Sequence, residues 1–351
     1  MEILSMRRTL SGWVALLVCV FVCGSGFAQQ GDQPVDYLNQ LSNPSDKLLI
    51  DSWEYMSTSA HSKNPKAVED KRKALVKSIT DYLGMVKTAK PYKGDDAYRQ
   101  SVLKYLSILL PVFNQDYEKI VDMKEVSEQS YDLFEAYILA QKKANDKLEE
   151  SSKILLDAEK TFAAKYKIIL TVSESDLNKK IKQGSDAIDY YNKIHLILFK
   201  PLKQEAYLLA AHEAGDIGKI EQNRKTLLRD SIEGMKLLSS EKKYDGDDSL
   251  ISICKKALQF YKVEAEEKTP LIVDYMMKND SFTKIKKAYE AKSDAEKTQE
   301  AVDQFNARVN EVNLAVNKSN KAIEEMNSER SGIIDEWNNA MAEFMDKHVP
   351  Q

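Results

Sequence analysis

Long stretches of this chain repeat apolar residues at three- and four-residue spacing, which predicts amphipathic helices. In residues 65–87 the apolar positions are Leu75, Ile79, Leu83 and Val86. No stretch alternates apolar and polar residues with a period of two, so no sheet is predicted. Glycine and proline are scarce while Lys, Glu, Ala and Leu are abundant, as in long solvated helices. The predicted fold class is therefore all-α.

Two longer segments carry heptad-like patterns. The first covers about residues 126–171, and polar residues interrupt its apolar stripe. The second has the clearest heptads of the chain: Val302, Phe305, Val309, Val312, Val316, Ser319, Ile323 and Met326. Both segments are predicted to be long coiled-coil-like helices that pack on neighbouring helices.

The chain also contains an internal similarity. Residues 55–108 align with residues 207–260 without a gap, at a constant offset of 152 positions, as from Tyr55 to Tyr207. Identical pairs include Glu69 and Glu221, Arg72 and Arg224, Leu75 and Leu227, Tyr92 and Tyr244, and Leu106 and Leu258. Helix N-cap residues recur as well, because Asn64 and Asp216 precede corresponding helices. We predict two tandem four-helix units in an elongated helical bundle.

The predicted domain organisation follows this duplication. A signal peptide spans residues 1–28 and a flexible N-terminal segment spans residues 29–44. The first helical repeat unit covers residues 45–172 and the second covers residues 173–347. In the first unit, helices are predicted near residues 46–60 and 65–87, from a cap at Asp95 or Asp96 through Phe113, and near 126–171. In the second unit they are predicted near 186–212, 217–240, 248–268 and 269–278, before the final long helix.

The N-terminus has the pattern of an export signal. Arg7 and Arg8 precede an apolar run at 13–22, and small residues lead to a cleavage position between Ala28 and Gln29. The run is shorter than the roughly 20 residues that a membrane-spanning helix needs. We predict an exported protein of the periplasm or outer cell surface, with no transmembrane segment after cleavage.

Two alternatives for the leader remain open. The leader could be retained as an N-terminal anchor. A lipid could instead be attached at Cys19 or Cys23. Lipoprotein processing requires a small residue just before the cysteine, however, and Val18 and Val22 occupy these positions. Both alternatives are weaker than cleavage.

Composition narrows the functional classes. Once the leader is removed, Cys254 is the only cysteine, so no intramolecular disulfide can form. Its neighbours on the predicted helix face, Ile251, Leu258 and Tyr261, indicate a buried apolar thiol. The net charge is only −4 and both signs are mixed along the helices, which argues against a nucleic-acid partner.

A repeated Gly-Asp-Asp turn is the sharpest local motif. Its residues are Gly94, Asp95 and Asp96 in the first copy and Gly246, Asp247 and Asp248 in the second. Clustered carboxylates could bind calcium, but Lys256 replaces the closing glutamate of a calcium loop, and Lys93 opens the first copy. We predict structural helix caps, with a calcium site as the alternative.

No catalytic constellation is evident. The four histidines, His61, His195, His212 and His348, lack metal-binding partners at helical spacing. His61 and His212 end predicted helices, where positive charge is favourable. Seventeen tyrosines are interpreted as lining a shallow flank of the core, with hydroxyls that reach water. The alternative is that they form an interface or a carbohydrate-facing surface. We predict a protein that is not an enzyme and that needs no cofactor or metal.

One resemblance adds a cellular context. The segments 27–30 (FAQQ), 137–148 (YILAQKKANDKL) and 162–165 (FAAK) resemble those of uncharacterised all-helical surface or envelope proteins of Bacteroidota and spirochaetes. The resemblance implies an envelope location and an all-helical fold, and it supplies no catalytic residues.

Two functions follow as hypotheses. The first is a non-catalytic envelope or surface protein that binds an unknown protein or glycan, or acts as a scaffold. The alternative is a periplasmic small-ligand-binding or hydrolytic protein with a site between the two helical units. Convergent carboxylates or histidines with shifted pKa values in a pocket would favour this alternative.

Overall fold

The computed structural model describes residues 33–62, 64–170 and 175–349, and these ranges contain helices but no strand. The all-α prediction is confirmed. The helices are α1 (Pro34–Ser42), α2 (Pro44–His61), α3 (Pro65–Thr88), α4 (Ala97–Pro111), α5 (Tyr117–Ser127), α6 (Tyr131–Tyr166), α7 (Asp176–Glu213), α8 (Ile217–Leu238), α9 (Ser249–Val263), α10 (Thr269–Glu290) and α11 (Gln299–His348). The predicted leader with its cleavage position at Ala28 and Gln29 lies outside the described residues, as does most of the junction at 171–176.

The chain forms two compact units. Unit 1 comprises Met1–Lys193 together with Met341–Gln351, and unit 2 comprises Ile194–Ala340. These limits differ from the repeat limits at residues 172 and 173, because packing and sequence repetition divide the chain differently.

The C-terminal end of α11 explains part of that difference. In unit 1, the His61 Nε2 atom lies 2.6 Å from the Val349 carbonyl oxygen, so the imidazole can donate to it. The Phe344 ring stacks on Tyr190 with the ring centroids 5.8 Å apart. The last residues of the chain therefore help to complete the unit that begins it.

Tyrosine supplies much of the core of unit 1. Tyr55, Tyr105, Tyr117 and Tyr137 are at most 1% exposed, which corrects their assignment to a shallow flank. The Tyr117 hydroxyl donates to the Asn145 Oδ1 atom at 2.6 Å inside the core. Buried acceptors of this kind let a phenol leave water without losing its hydrogen bond.

The N-terminal segment is ordered where it was expected to be flexible. Residues Pro34–Ser42 form α1, and Tyr37, Leu38 and Leu41 on this helix are buried. The Tyr37 ring lies 5.6 Å from that of Phe162. Contact between Tyr37 and Phe162 offsets the loss of chain entropy when α1 packs.

Unit 2 buries the single described thiol. Cys254 is fully buried in α9, which confirms its assignment as an apolar core residue. Burial raises the pKa of the thiol to about 12. The reactive thiolate is therefore scarce at neutral pH.

Several local structures recur at the offset of 152 positions. The Asn64 side chain accepts the Lys66 amide at 3.0 Å, and the Asp216 side chain accepts the Lys219 amide at 3.0 Å. Helix α4 continues into a π-helical turn at Val112–Asp116, and α9 continues into one at Glu264–Lys268. The cap residues and the two π-helical turns correspond at this offset, although the amides that the caps accept differ by one position.

An arginine side chain, buried in the first copy and partly exposed in the second, binds each π-helical turn. Arg72 in α3 donates to the Phe113 carbonyl at 2.7 Å, and Arg224 in α8 donates to the Ala265 carbonyl at 3.1 Å. A π-helical turn interrupts the regular hydrogen-bond ladder, so its carbonyls need other donors. Each arginine also pairs with a glutamate three residues earlier in its helix. The tandem duplication stays a prediction, which these matches support.

Some helix limits differ from the sequence pattern. Helix α6 ends at Tyr166, before the expected 171, because Lys167 adopts a left-handed conformation with φ 57°. Helix α7 begins at Asp176 instead of near Asp186. Helix α10 extends to Glu290 instead of ending near 278, and Thr269 lies inside a continuous helical path rather than capping a new one.

Replacing either arginine should leave a turn carbonyl without its donor. We expect Arg72→Met and Arg224→Met each to lower the free energy of unfolding by about 1.5–3 kcal/mol, the usual loss for a hydrogen bond to a charged group. Urea unfolding measures the change. Lys73→Met is the matched control, because that side chain is 67% exposed on the same helix as Arg72. An equal effect of the control and Arg72→Met would contradict this account.

Candidate functional site

The repeated Gly-Asp-Asp motif forms a tight turn in both copies. Backbone hydrogen bonds join Tyr92 and Asp95 in both directions at 3.0 and 2.8 Å, and the second copy repeats them between Tyr244 and Asp247. Gly94 has φ 84°, a left-handed conformation that glycine adopts without steric cost. The motif is thus a compact turn before α4 and before α9.

In the first copy, the Asp95 carboxylate already accepts hydrogen bonds from other groups of the protein. Asp95 accepts the Ala97 amide at 3.1 Å, the Lys165 ammonium at 2.7 Å and the Tyr166 hydroxyl at 2.9 Å. The hydrogen bond from Lys165 is the main cause that holds the pKa of Asp95 below its usual range. A cation would have to displace these donors, so the geometry favours a structural role.

The four carboxylates of the two turns accept hydrogen bonds from different groups. Asp247 accepts the Ser249 amide at 2.9 Å, as Asp95 does for Ala97. Asp96 caps no amide through its side chain and instead binds the Arg99 guanidinium. Asp248 likewise makes no cap, and it pairs with Lys243 at 2.6 Å. The first aspartate of each pair therefore bonds a first-turn amide, and the second bonds a nearby cation.

The histidines are dispersed. His195 lies in the core of unit 2, with its ring centroid 5.5 Å from that of Trp337, and burial lowers its pKa to about 3. Burial and then Arg330 lower the pKa of His212, which favours a neutral imidazole where positive charge was expected. Within the described ranges, no group of three or more His, Cys, Asp or Glu side chains is arranged to hold a metal ion.

Three residues distant in sequence form a buried ionic cluster in unit 2. Arg330 donates to Glu205 at 2.5 Å and to Glu264 at 2.6 Å. Burial first, and then the charge of Glu205, raise the pKa of Glu264. A proton on Glu264 leaves a single negative charge in the cluster, which matches the single positive charge of the Arg330 guanidinium. This cluster links α7, the second π-helical turn and α11.

A cavity of about 530 Å³ opens beside this cluster. Its lining comprises Phe260, Val263, Glu264, Lys268, Glu324, Glu325, Met326, Ser328 and Glu329. Glu264 is committed to Arg330, and Glu325 is paired with Lys268 at 2.5 Å. The other two glutamates of the lining, Glu324 and Glu329, are exposed.

A different feature of unit 2 stands out by its exposure. None of the residues 274–314, which we call the arm, is buried. The arm comprises most of α10, the loop to α11 and the first turns of α11. Met277 is 59% exposed and Leu314 is 63% exposed. A helical segment of this length without one buried residue contributes little to a core.

Aromatic rings join the two helices of the arm. Tyr289 in α10 stacks on Phe305 in α11 with the centroids 4.4 Å apart, and Phe282 lies 5.6 Å from the same ring. All three rings remain partly exposed. In the loop, the Thr298 hydroxyl oxygen accepts the Ala301 amide at 3.3 Å and so caps α11. The arm is thus a helical hairpin closed by a half-exposed aromatic cluster.

Comparison of the chain with protein-family models, with curated proteins and with solved structures gives no significant match. Across the residues with described structure, no helix combines the length and apolar character needed to cross a membrane.

The turn geometry predicts independence from calcium. A site with Kd of about 0.1 mM would add about 2.7 kcal/mol at about 10 mM free ion, which is a large shift in melting temperature. We expect no shift on adding calcium or chelator. Replacing Asp95 and Asp96 together by Ala should cost about 0.5–2 kcal/mol in either condition. A calcium-dependent rise in melting temperature that this variant abolishes would contradict the structural assignment.

A buried carboxyl group in unit 1 stands apart from these sites. Glu159 in α6 is 4% exposed, and burial raises its pKa from 4.5 to about 7. The native state therefore binds the Glu159 proton more tightly than the unfolded state does. Between these two pKa values stability falls as pH rises, and the contribution of this proton is absent above about 7.

Glu159→Gln should remove this dependence. We expect the variant to gain stability on the order of 2 kcal/mol at about pH 8, and only about a quarter of that at about pH 5. Urea unfolding at both values measures the difference. Glu135→Gln, an exposed substitution in the same helix, is the control. An equal gain at the two pH values would count against a buried, protonated Glu159.

Proposed function

We propose that this chain is an exported, non-catalytic helical envelope or surface protein that binds another macromolecule, and that the arm is its binding element. The leader pattern and the resemblance to envelope proteins motivate the location. The partner is a protein or glycan of the envelope, and the protein acts as a binding module or scaffold.

The unburied arm is the observation that carries this proposal. Residues 274–314 form a helical hairpin in which no residue is buried, and Phe282, Tyr289 and Phe305 stay partly open to water. Burial of apolar surface is the main source of helix stability in proteins, so an uncovered seam of this kind suits a partner. Aromatic residues are also enriched where interfaces gain most of their energy.

The alternative function, binding or hydrolysis of a small ligand, would draw on the cavity beside Glu264. Its raised pKa is the kind of shift expected at a working carboxyl group. However, Glu264 is held by Arg330, and the site lies inside unit 2 rather than in a cleft between repeats. The arm therefore supports binding of a macromolecule better than the cavity supports binding or hydrolysis of a small ligand.

Removing the arm should abolish binding without unfolding the rest. We expect a variant with residues 279–314 replaced by a short Gly-Ser linker to retain its cooperative melting, since no buried residue is lost. Tagged intact and armless chains are incubated with solubilised envelopes, and the retained proteins and glycans are compared.

A protein or glycan that the intact chain retains and the armless chain does not is a candidate partner of the arm. Tyr207→Ala is the control, because Tyr207 is 52% exposed in unit 2 but lies outside the arm. Equal retention by intact and armless chains would remove the arm from the proposal. Hydrolase activity without any retained macromolecule would favour the alternative function.

A further inference from the structure

The apolar residues between the two helices of the arm, which we call its seam, are only partly covered by these helices. Ile285 in α10 and Val302, Val309 and Val312 in α11 are each partly exposed, like the aromatic cluster. In a hairpin every helix has one neighbour, whereas in a four-helix bundle every helix has two and the apolar positions meet in a closed core. A second helical hairpin is therefore the shape that would complete this seam.

The charges of the arm match a second copy of itself. The outer part of α10 carries Lys284, Lys286 and Lys287 against a single Glu290, so it is basic. The first turns of α11 are acidic: they carry Glu300, Asp303 and Glu311 against a single Arg308. A two-fold axis that places α10 of one arm beside α11 of the other brings opposite charges together twice.

The ion pairs of the arm leave part of this charge available. Those formed within it join residues of the same helix, as in Lys284 with Asp280 and Arg308 with Glu311. Lys287, Glu300 and Asp303 take part in no ion pair within the described part of the chain. These side chains are exposed and can meet the charges of a partner.

The arm also has enough surface for a modest interface. Its α10 portion, residues 274–290, spans about 25 Å at 1.5 Å per residue. Two helices of about 10 Å diameter side by side then present roughly 500 Å². Two arms together would bury about 1,000 Å², which is near the lower limit for a specific interface.

We propose that the partner of the arm is the arm of a second copy of this chain, and that the two hairpins form an antiparallel four-helix bundle. This inference rests on the proposed function, because it names the partner of the same surface. The bundle joins two molecules through residues that lie outside the core of either molecule.

Charge reversal tests the pairing. Sedimentation equilibrium of the exported chain, from about 1 to about 100 µM, should show a monomer–dimer equilibrium, as suits an interface of this size. K284E/K286E/K287E makes both helices of the arm acidic, and E300K/D303K/E311K makes both basic. Each variant alone should remain monomeric because like charges then face each other. An equimolar mixture should form dimers again.

Two controls make the result specific. K73E/K77E/K87E changes the charge equally on α3, where these lysines are exposed, and should dimerise like the unaltered chain. Circular dichroism of each variant reports whether its helices are retained. The renewed association of the mixture shows that neither variant is merely unfolded.

Several outcomes would overturn the inference. The first is an unaltered chain that stays monomeric over the whole concentration range. The second is an arm variant that, alone, dimerises as strongly as the unaltered chain. The third is an equimolar mixture of the two variants that stays monomeric. A monomeric chain whose arm still retains a different macromolecule from envelopes refutes self-association and leaves the proposed function standing. A monomeric chain with no arm-dependent partner refutes both.

Discussion

The hydrogen bond from an arginine side chain to an interrupted helix recurs in both units and ties together the helices on either side of it. Arg72 and Arg224 each reach a carbonyl that a π-helical turn has freed from the regular ladder. Without that donor, the carbonyl would be buried at a cost comparable to a lost hydrogen bond. The contact fixes α3 to the turn after α4, and α8 to the turn after α9. In unit 2 the turn that Arg224 binds runs directly into α10, and α10 carries the arm.

Much of the helical pattern could be predicted because it depends on local chemistry. Apolar spacing located α3 and α8, and the caps at Asn64 and Asp216 follow from side chains that can bond nearby amides. The π-helical turns could not be predicted in this way. Pro111 precedes the first turn, whereas Pro270 follows the second, so no shared local residue explains both. Their shared feature is an arginine 41 positions earlier in the chain.

The candidate sites show the same division. The Gly-Asp-Asp turn was visible in the sequence, but the partner that occupies Asp95 is Lys165, 70 positions away. Glu205, Glu264 and Arg330 likewise meet only through tertiary packing. The heptads of α11 were recognised, yet heptad spacing does not reveal whether a seam will be covered. The continuation of α10 to Glu290 supplies the second helix of the arm, and the pattern near Thr269 and Pro270 gave no indication of it.

An arm that takes no part in the core has a length that the core does not constrain. Adding seven residues to each of its helices would preserve their register and move the aromatic tip outward by about 10 Å. Deleting seven from each would retract it by the same distance. No buried contact in 274–314 would have to be rebuilt by either change. The reach of the hairpin can therefore change in steps of whole heptads while the two folded units stay the same.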